Sequence, residues 1–220
     1  MRSPLTRERV LRAAVGVADS GGLAALTIRT LAQELGVQPM SVYHHVANKD
    51  EILDGAVDLV FGEIELPGCE GDWRAEMTTR AASARRVLRR HPWAIALMES
   101  RTTPGPASLR HHDAVLGSLR AGGFPVRLAG HAYAVLDSYV YGFALQEAGL
   151  PVEGTDRVGE LAGSIMEGFD AGQYPHLTEL AVEVVMKPGY DFGDEFDFGL
   201  DLVLDGLARL RPTGRRRKEN

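Results

Sequence analysis

Residues 25–54, ALTIRTLAQELGVQPMSVYHHVANKDEILD, carry the pattern of two short helices joined by a tight turn and followed by a third helix. Apolar residues recur every three or four positions from Ile28 to Leu35, and Gly36 is suited to end that helix. Pro39 suits the first turn of the second helix, because a missing N–H costs nothing there. A helix, a short glycine turn and a second helix form the helix-turn-helix arrangement of proteins that read duplex DNA.

The second helix is predicted to have an apolar side and a polar side. Val42 and Val46 form a narrow apolar stripe that neighbouring helices can bury. In a helix-turn-helix protein the second helix enters the major groove, which is roughly 12 Å wide. We therefore expect the polar side to face base edges, and this side carries Met40, Ser41, His44 and His45.

A third helix is predicted to begin at Asn48, because Asn48 and Glu51 have the spacing of a capping pair. Lys49 then lies in the first turn of this helix, where a cation can contact phosphate. A phosphate contact fixes the position of a protein on DNA without selecting a sequence.

This stretch resembles the DNA-binding domain of TetR-type regulators, the tetracycline repressor family. The resemblance covers an opening helix over residues 6–19, a Gly21-Gly22 turn, LTIRTLA at 26–32, LGV at 35–37, VYHHV at 42–46 and NK at 48–49. By position, it implies base contacts for Arg29 and Ser41, flanked by His44 and His45. It implies phosphate contacts for Thr27, Tyr43 and Lys49, although Tyr43 can also pack between helices. Pro39 and Met40 are variants particular to this chain.

The rest of the chain is also predicted to be helical, so the fold class is all-α. Helical periodicity runs through 73–90, 106–122, 125–149 and 193–211, separated by loops rich in Pro, Gly and Thr at 101–107 and 149–157. The predicted organisation is a three-helix helix-turn-helix DNA-binding domain (1–50), a connecting helix (about 48–65), a larger helical ligand-binding and dimerisation domain (66–211) and a basic, disordered tail (212–220).

Charge is distributed unevenly along the chain. The net charge is −6 overall, yet residues 1–50 carry six Lys and Arg against four Asp and Glu. Residues 51–208 carry twelve basic and twenty-five acidic residues. The acidity therefore belongs to the part of the protein that need not approach phosphate, and the overall charge does not argue against DNA binding.

Two C-terminal helices have more apolar surface than one neighbour can cover. The helix from Val126 to Ala148 carries apolar residues on two sides, Leu128, Val135, Tyr139 and Gly142 on one and Leu136, Val140 and Phe143 on the other. The last helix repeats a seam of Phe196, Leu200, Val203, Leu207 and Leu210. Together they predict a four-helix homodimer interface, as the resemblance also implies. A two-fold dimer reads both halves of a palindromic operator about one helical turn, roughly 34 Å, apart.

The resemblance implies that a small-molecule effector binds inside the larger domain and opposes operator binding. Candidate pocket residues are aromatic and polar side chains on its central helices: Trp93, Met98, Tyr133, Asp137, Tyr141, Phe169 and Tyr174. Where the tetracycline repressor branch coordinates magnesium, this chain has Glu99, Ser138 and Gln146 in a gapless alignment. No metal and no cofactor are therefore predicted. His44 and His45 do not form a metal pair either, because adjacent helical residues point about 100° apart.

Two other function classes compete with a regulator. An enzyme has candidate acid–base groups in His91, His111, His112, His131 and His176, but the sequence contains no recognised catalytic spacing and no catalytic residue is predicted. An architectural DNA binder would use the second domain for dimerisation alone. A single cysteine, no signal core and no apolar run near 18 residues predict a cytosolic protein without a membrane partner.

Overall fold

The computed structural model describes residues 4–98, 100–151, 155–168, 170 and 172–212, without the side chains of residues 155–157. These residues form helices and loops and no strand, as the sequence predicts. The α-helices are α1 (Arg7–Ala25), α2 (Ile28–Leu35), α3 (Pro39–Val42), α4 (Lys49–Phe61), α5 (Trp73–Arg90), α6 (Ile95–Met98), α7 (Pro106–Ala121), α8 (Val126–Ala148), α9 (Thr155–Met166), α10 (Pro175–Leu180) and α11 (Glu195–Leu210). Single 3₁₀ turns cover Pro92–Ala94 and Phe192–Asp194, and a π-helical turn covers Ala181–Val185.

The start of α1, the glycine break near its end and the end of α2 lie where the sequence predicts. Gly22 has a φ of 69° and breaks the end of α1 at the predicted glycine turn. Thr27 and Thr30 form a reciprocal capping box at the start of α2, with each side chain accepting a backbone N–H of the other. Gly36 ends α2 in the left-handed region, at a φ of 66°, which a residue with a Cβ rarely adopts.

The helix α3 is shorter than the sequence predicts. It covers Pro39–Val42, whereas the pattern predicted a helix through Val46. The chain tightens after Val42, because the His45 N–H bonds to the carbonyl of Val42 at 3.0 Å, three residues back instead of four. Val42 and Val46 are nevertheless both buried, as predicted.

The predicted cap of α4 is present in a modified form. Asn48 Oδ1 accepts the Glu51 N–H at 2.8 Å. The Glu51 carboxylate does not return to Asn48; it accepts the Ala47 N–H at 2.7 Å and the Arg7 guanidinium at 3.0 Å. The hydrogen bond from the Ala47 N–H, and to a lesser extent the one from Arg7, lowers the pKa of Glu51. The cap therefore also ties α4 to the first turn of α1.

The helix α4 ends at Phe61, before the predicted end near residue 65. After Gly62 the chain follows α5 instead of continuing the helix. The Glu65 N–H donates to the Ser83 hydroxyl at 3.0 Å, and Glu63 accepts from Arg90 at 2.8 Å. These contacts hold the segment after α4 against α5.

Buried side chains form two clusters that meet along α4. The first holds α1, α2 and α3 together around Val10, Leu31, Val42 and Ile52. The second lies between α4, α5, α7, α8 and α11 and contains Phe61 from α4. One helix therefore contributes to the cores of both units, so that its movement affects both.

The predicted seam of α11 lies mostly inside the protomer. Phe196, Leu200 and Leu207 are buried against the helices of the same chain, so their assignment to a dimer interface is wrong. Likewise, α8 buries Leu136, Val140 and Phe143 in the same core. The exposed apolar face of α11 is instead formed by Phe198, Leu202 and Leu210. The error arose because α11 is apolar on both sides and periodicity cannot say which side the protomer covers itself.

Several predicted features lie outside the described residues. They are Phe169, Glu99, part of the 149–157 loop and the basic tail after residue 212. Among the helices that are described, none is both long enough and apolar enough to cross a bilayer.

Candidate DNA interface and effector site

The helix-turn-helix unit presents one side of α2 and α3 to solvent. The opposite side of α2 packs against α3 and against α1, which in turn packs on α4. Pro39 occupies the first turn of α3, as predicted, so α3 starts without a backbone donor that would need a partner. The short helix α3 is thus held by its neighbours and not by its own length.

The predicted base-reading residues are exposed to different degrees. Arg29 is exposed in the first turn of α2, and Met40 exposes 69% of its surface on α3. His44 is exposed, whereas Ser41 and His45 are half-buried. The outer surface therefore offers a cation, a flexible apolar side chain and an imidazole close together in sequence and on one unit.

The predicted phosphate contacts lie at helix termini. Lys49 is exposed as the first residue of α4, and Tyr43 exposes 45% of its surface at the end of α3. The Thr27 hydroxyl accepts the Thr30 N–H at 3.1 Å, so it serves as a helix cap besides any contact with phosphate. Within the described part of the chain, neither Arg29 nor Lys49 forms an ion pair, which leaves both charges available.

A cavity of about 230 Å³ lies in the larger domain, between α4, α7, α8 and the loop before α7. Of the predicted pocket residues, Met98 and Tyr133 line it. Tyr133 bonds through its hydroxyl to His112 Nδ1 at 2.6 Å, and the Phe61 ring packs edge-on to His112 with 5.3 Å between centroids. The full lining is Asp54, Val57, Phe61, Met98, Arg101, Thr103, Pro104, Gly105, Ser108, Leu109, His112 and Tyr133.

Those of the other predicted pocket residues that the structure describes do not line this cavity. Trp93 lies at the junction with α1, where its indole N–H donates to Asp19 Oδ1 at 2.6 Å. Tyr141 is buried in the core, and Tyr174 is half exposed just before α10. Asp137 is buried in an ion pair with Arg80, with 2.6 Å between Oδ1 and Nη2.

Three carboxylates on one face of α4 bind the loop that borders the cavity. Asp50 and Asp54 both accept from the Arg101 guanidinium, Asp50 at 3.1 Å. The hydrogen bond with Asp54 contributes most to raising the pKa of Arg101, which keeps the guanidinium charged. One turn later, Asp58 accepts the Ser108 N–H at 2.8 Å at the start of α7, where the helix dipole favours an anion. We call Asp50, Asp54, Asp58 and Arg101 the α4 clasp.

A second contact joins the two units near His91. Asp19 of α1 lies 2.7 Å from His91 Nδ1, and Glu63, just after α4, lies 3.3 Å from His91 Nε2. The His91 side chain is buried at the end of α5. The DNA-binding unit is therefore attached to the larger domain through both α4 and α1.

The positions aligned with magnesium ligands do not converge in the described residues. Ser138 and Gln146 are both exposed on α8. Among the residues that the structure describes, no group of three or more His, Cys, Asp or Glu side chains has the geometry to hold a metal ion.

Two family models match the chain and together span most of its length. The model of bacterial regulatory proteins of the tetR family matches residues 10–56, which contain the helix-turn-helix unit. The model of the tetracyclin repressor-like C-terminal domain matches residues 67–211. The chain belongs to the TetR family. It is a DNA-binding transcriptional regulator with a ligand-responsive C-terminal domain, as the sequence predicts.

Individual relatives agree with this assignment to the TetR family. The chain is 36% identical over 216 residues to the HTH-type transcriptional repressor DrrR1 of Streptomyces coeruleorubidus, covering 94% of this chain and 78% of that protein. It is 29% identical over 205 residues to the class A tetracycline repressor of Escherichia coli, covering 92% and 90%. The solved structure of the Streptomyces coelicolor TetR-family protein ActR in complex with actinorhodin superimposes with a TM-score of 0.79 and 29% identity, covering 96% of this chain and 100% of that one. Regulators of the TetR family bind DNA operators, dimerise and bind small-molecule ligands.

Several residues of this TetR-family regulator escaped the sequence reasoning. The α4 clasp was missed, although Asp50, Asp54 and Asp58 recur every four residues, which places them on one helical face. His111 and His112 were considered only as catalytic candidates. Their partners Arg80 and Tyr133 lie 31 and 21 residues away in sequence, and no local pattern indicates such distant contacts.

Proposed function

We propose that this protein is a repressor that binds a palindromic operator as a homodimer and is released when a small molecule occupies the cavity between α4, α7 and α8. The observation that carries the proposal is the position of α4. Its first residue, Lys49, belongs to the exposed DNA-facing surface, and its later residues Asp54, Val57 and Phe61 line the cavity. A single rigid helix thus connects the two sites.

In this proposal the exposed surface of α2 and α3 enters the major groove. Arg29 supplies the cation that pairs with guanine edges, and Ser41, His44 and His45 contact neighbouring bases. Pro39 and Met40 adapt the start of the reading helix to a particular operator. Thr27, Tyr43 and Lys49 contact phosphates and set the orientation of the unit.

Dimerisation is proposed to use the outer faces of α8 and α11. On α11, Phe198 and Leu202 expose 65% and 60% of their surfaces one turn apart. On α8, Val135 and Leu145 are exposed, and Gly142, which has open space above it, lies on the same side of the helix as Val135. Exposed apolar faces of this kind indicate interaction sites, and small residues allow close helix approach. The two faces together would bury the four helices of a two-fold interface.

Effector binding is proposed to act through the α4 clasp. A ligand in the cavity touches Asp54 and Arg101, which join α4 to the loop before α7. If the ligand favours a different position of that loop, α4 moves with the loop. This movement displaces Lys49 and α3 from their positions on the DNA. By linkage, the ligand weakens operator binding by the same factor by which the operator weakens ligand binding.

Similarity to ActR bears on the kind of effector. ActR has been solved in complex with actinorhodin and with (S)-DNPA. The cavity of this chain is lined by Phe61, His112 and Tyr133, which suit the faces and edges of an aromatic ligand. We therefore propose an aromatic small molecule as the class of effector.

The test is selection of genomic fragments by the full-length protein, followed by footprinting of the bound sites. The proposal expects a palindrome whose half-sites are centred about one or two helical turns apart, roughly 34 Å per turn. Bound fragments without a shared palindrome would contradict it. An operator complex that no aromatic compound dissociates would favour a constitutive architectural protein instead.

A further inference from the structure

Three charged or polar side chains meet in the interior of the larger domain. Arg80 comes from α5, His111 from α7 and Asp137 from α8, and their exposed fractions are 1%, 0% and 5%. Arg80 Nε donates to His111 Nε2 at 3.1 Å, and Arg80 Nη2 lies 2.6 Å from Asp137 Oδ1. We call these three residues the Arg80 group.

The Arg80 group is not satisfied by its own members. Arg80 Nη1, His111 Nδ1 and Asp137 Oδ2 are buried and have no hydrogen-bond partner among the described residues. Asp137 Oδ1 has only the ion-pair contact with Arg80, whose geometry is not that of a hydrogen bond. A buried charge pair is costly unless hydrogen bonds satisfy its remaining donors and acceptors. Such a group therefore needs a further partner.

The Arg80 group lies directly behind the wall of the proposed effector cavity. Phe61 lines that cavity, and its ring centroid is 5.5 Å from that of His111. Tyr133 lines the cavity one helical turn before Asp137 on α8. His112, the neighbour of His111, lines it as well. A movement of the Phe61 side chain would join the cavity to the Arg80 group.

The hydrogen-bonding character of the group follows from its contacts. His111 Nε2 accepts from Arg80, so the imidazole proton is on Nδ1. Burial, and then the charge of Arg80, lowers the pKa of His111 to about 3, so the ring stays neutral. The group thus offers donors at Arg80 Nη1 and His111 Nδ1 and an acceptor at Asp137 Oδ2.

We propose that the effector reaches past Phe61 to the Arg80 group and carries a hydroxyl next to a carbonyl oxygen, as in a hydroxyquinone. The hydroxyl donates to Asp137, and the carbonyl accepts from Arg80 or His111. This inference rests on the proposed function, because it assigns the ligand class of the same cavity. Neither a hydrocarbon nor an ether of the same shape can supply the missing donor.

The experiment compares two probes that share one ring system on the full-length protein, a hydroxyl donor and its bulkier methyl ether, and the double variant described below separates the loss of the donor from the added size. Binding of 1,8-dihydroxyanthraquinone and of 1,8-dimethoxyanthraquinone is measured by titration calorimetry. The hydroxylated probe is expected to bind at least about tenfold more tightly, the contribution of a hydrogen bond to a charged group. Equal binding, or no binding of either probe, would overturn the proposal and leave the Arg80 group as a structural element only.

A double variant tests whether the preference comes from the Arg80 group. Arg80→Met with Asp137→Leu replaces the buried ion pair by apolar side chains of similar size, an exchange that proteins often tolerate. It should bind both probes equally. The matched control is Arg85→Met with Glu147→Leu, which removes another pair between α5 and α8, away from this cavity, and should keep the preference. A double variant that retains the preference contradicts the assignment.

Two further measurements separate the possible failures. If the double variant does not fold, as judged by circular dichroism, Arg80→Leu with Asp137→Met replaces it, because this pair also leaves no acceptor for the hydroxyl; retained preference would again contradict the proposal. Binding of the wild-type protein to its selected operator is measured without any probe. Failure to bind the operator overturns the proposed function, whereas operator binding without probe discrimination overturns only the ligand class.

Discussion

At the scale of single residues, the residues that cap or end a helix were the most predictable features. Gly36 ends α2 with a positive φ and Asn48 caps α4, as the sequence indicates, because each depends on neighbours within four residues. Contacts between distant residues were not predictable. The ion pair of Arg80 with Asp137 and the capping of α7 by Asp58 depend on which helices become neighbours. The site could therefore be predicted where it is local, on α2 and α3, and only in part around the cavity.

The neutral state of His111 gives a pH dependence. Its pKa is about 3 in the folded protein and near 6.5 in an unfolded chain. Between these values the unfolded chain binds a proton that the native protein does not. The unfolding free energy is therefore unaffected by His111 above about pH 6.5. It falls as the pH drops towards 3, by roughly 1.4 kcal/mol per pH unit.

His111→Gln keeps an acceptor for Arg80 but does not titrate, so it isolates this effect. Urea unfolding at a fixed protein concentration between pH 7 and pH 5 should give a smaller loss of stability in the variant than in the wild type. Identical pH dependence of the two proteins would show that His111 does not remain neutral on folding.

At the scale of helices, lengths and faces were predicted with different success. The periodicity located α5, α7, α8 and α11 to within a few residues, because a helix 16 or more residues long repeats its pattern several times. It could not say which side of α11 faces the protomer. Phe196 and Leu200 were assigned to the dimer interface but lie in the core, whereas Phe198 and Leu202 are exposed. Both sides are apolar, and only the position of α8 distinguishes them.

The exposed face of α11 gives a prediction for dimerisation. Leu202→Glu should dissociate the dimer, because it places a charge at the centre of the proposed interface, where two copies meet across a two-fold axis. Sedimentation velocity at micromolar concentration should report a folded monomer with much weaker operator binding.

The control is Ala208→Glu, which adds the same charge to the same helix about 120° away from Leu202. It should remain dimeric. If Leu202→Glu also remains dimeric, the interface lies elsewhere on the molecule.

At the scale of the whole molecule, the proposed function requires that the DNA-binding unit is attached to the larger domain. The helix α4 shares both cores, and the α4 clasp and the His91 contacts hold the units together. The sequence predicted the connecting helix but not these contacts, because their partners come from the loop before α7 and the end of α5. The uneven distribution of charge between the two units could be predicted from the sequence, because it depends only on the composition of each part.

Removal of the Arg101 side chain should loosen this attachment. Arg101→Met leaves the carboxylates of Asp50 and Asp54 without their cation, and we expect the unfolding free energy to fall by about 1–2 kcal/mol. Amides of the 101–105 loop and the first turn of α4 should exchange faster in hydrogen-exchange mass spectrometry. Arg12→Met, which breaks an exposed pair within α1, is the control and should change neither. Unchanged exchange in Arg101→Met would argue against the clasp as a connection.

The most direct test of the account is equilibrium binding of the selected operator between about 50 and 200 mM salt, for the wild type and three variants. Lys49→Ala should weaken binding to every sequence and flatten the salt slope by about one unit for each lost phosphate contact. Arg29→Ala should reduce the preference for the operator over altered half-sites by about 1–3 kcal/mol. Arg86→Ala, on the exposed side of α5, should behave as the wild type. If Lys49→Ala and Arg29→Ala both bind like the wild type, the exposed surface of α2, α3 and the start of α4 does not read DNA.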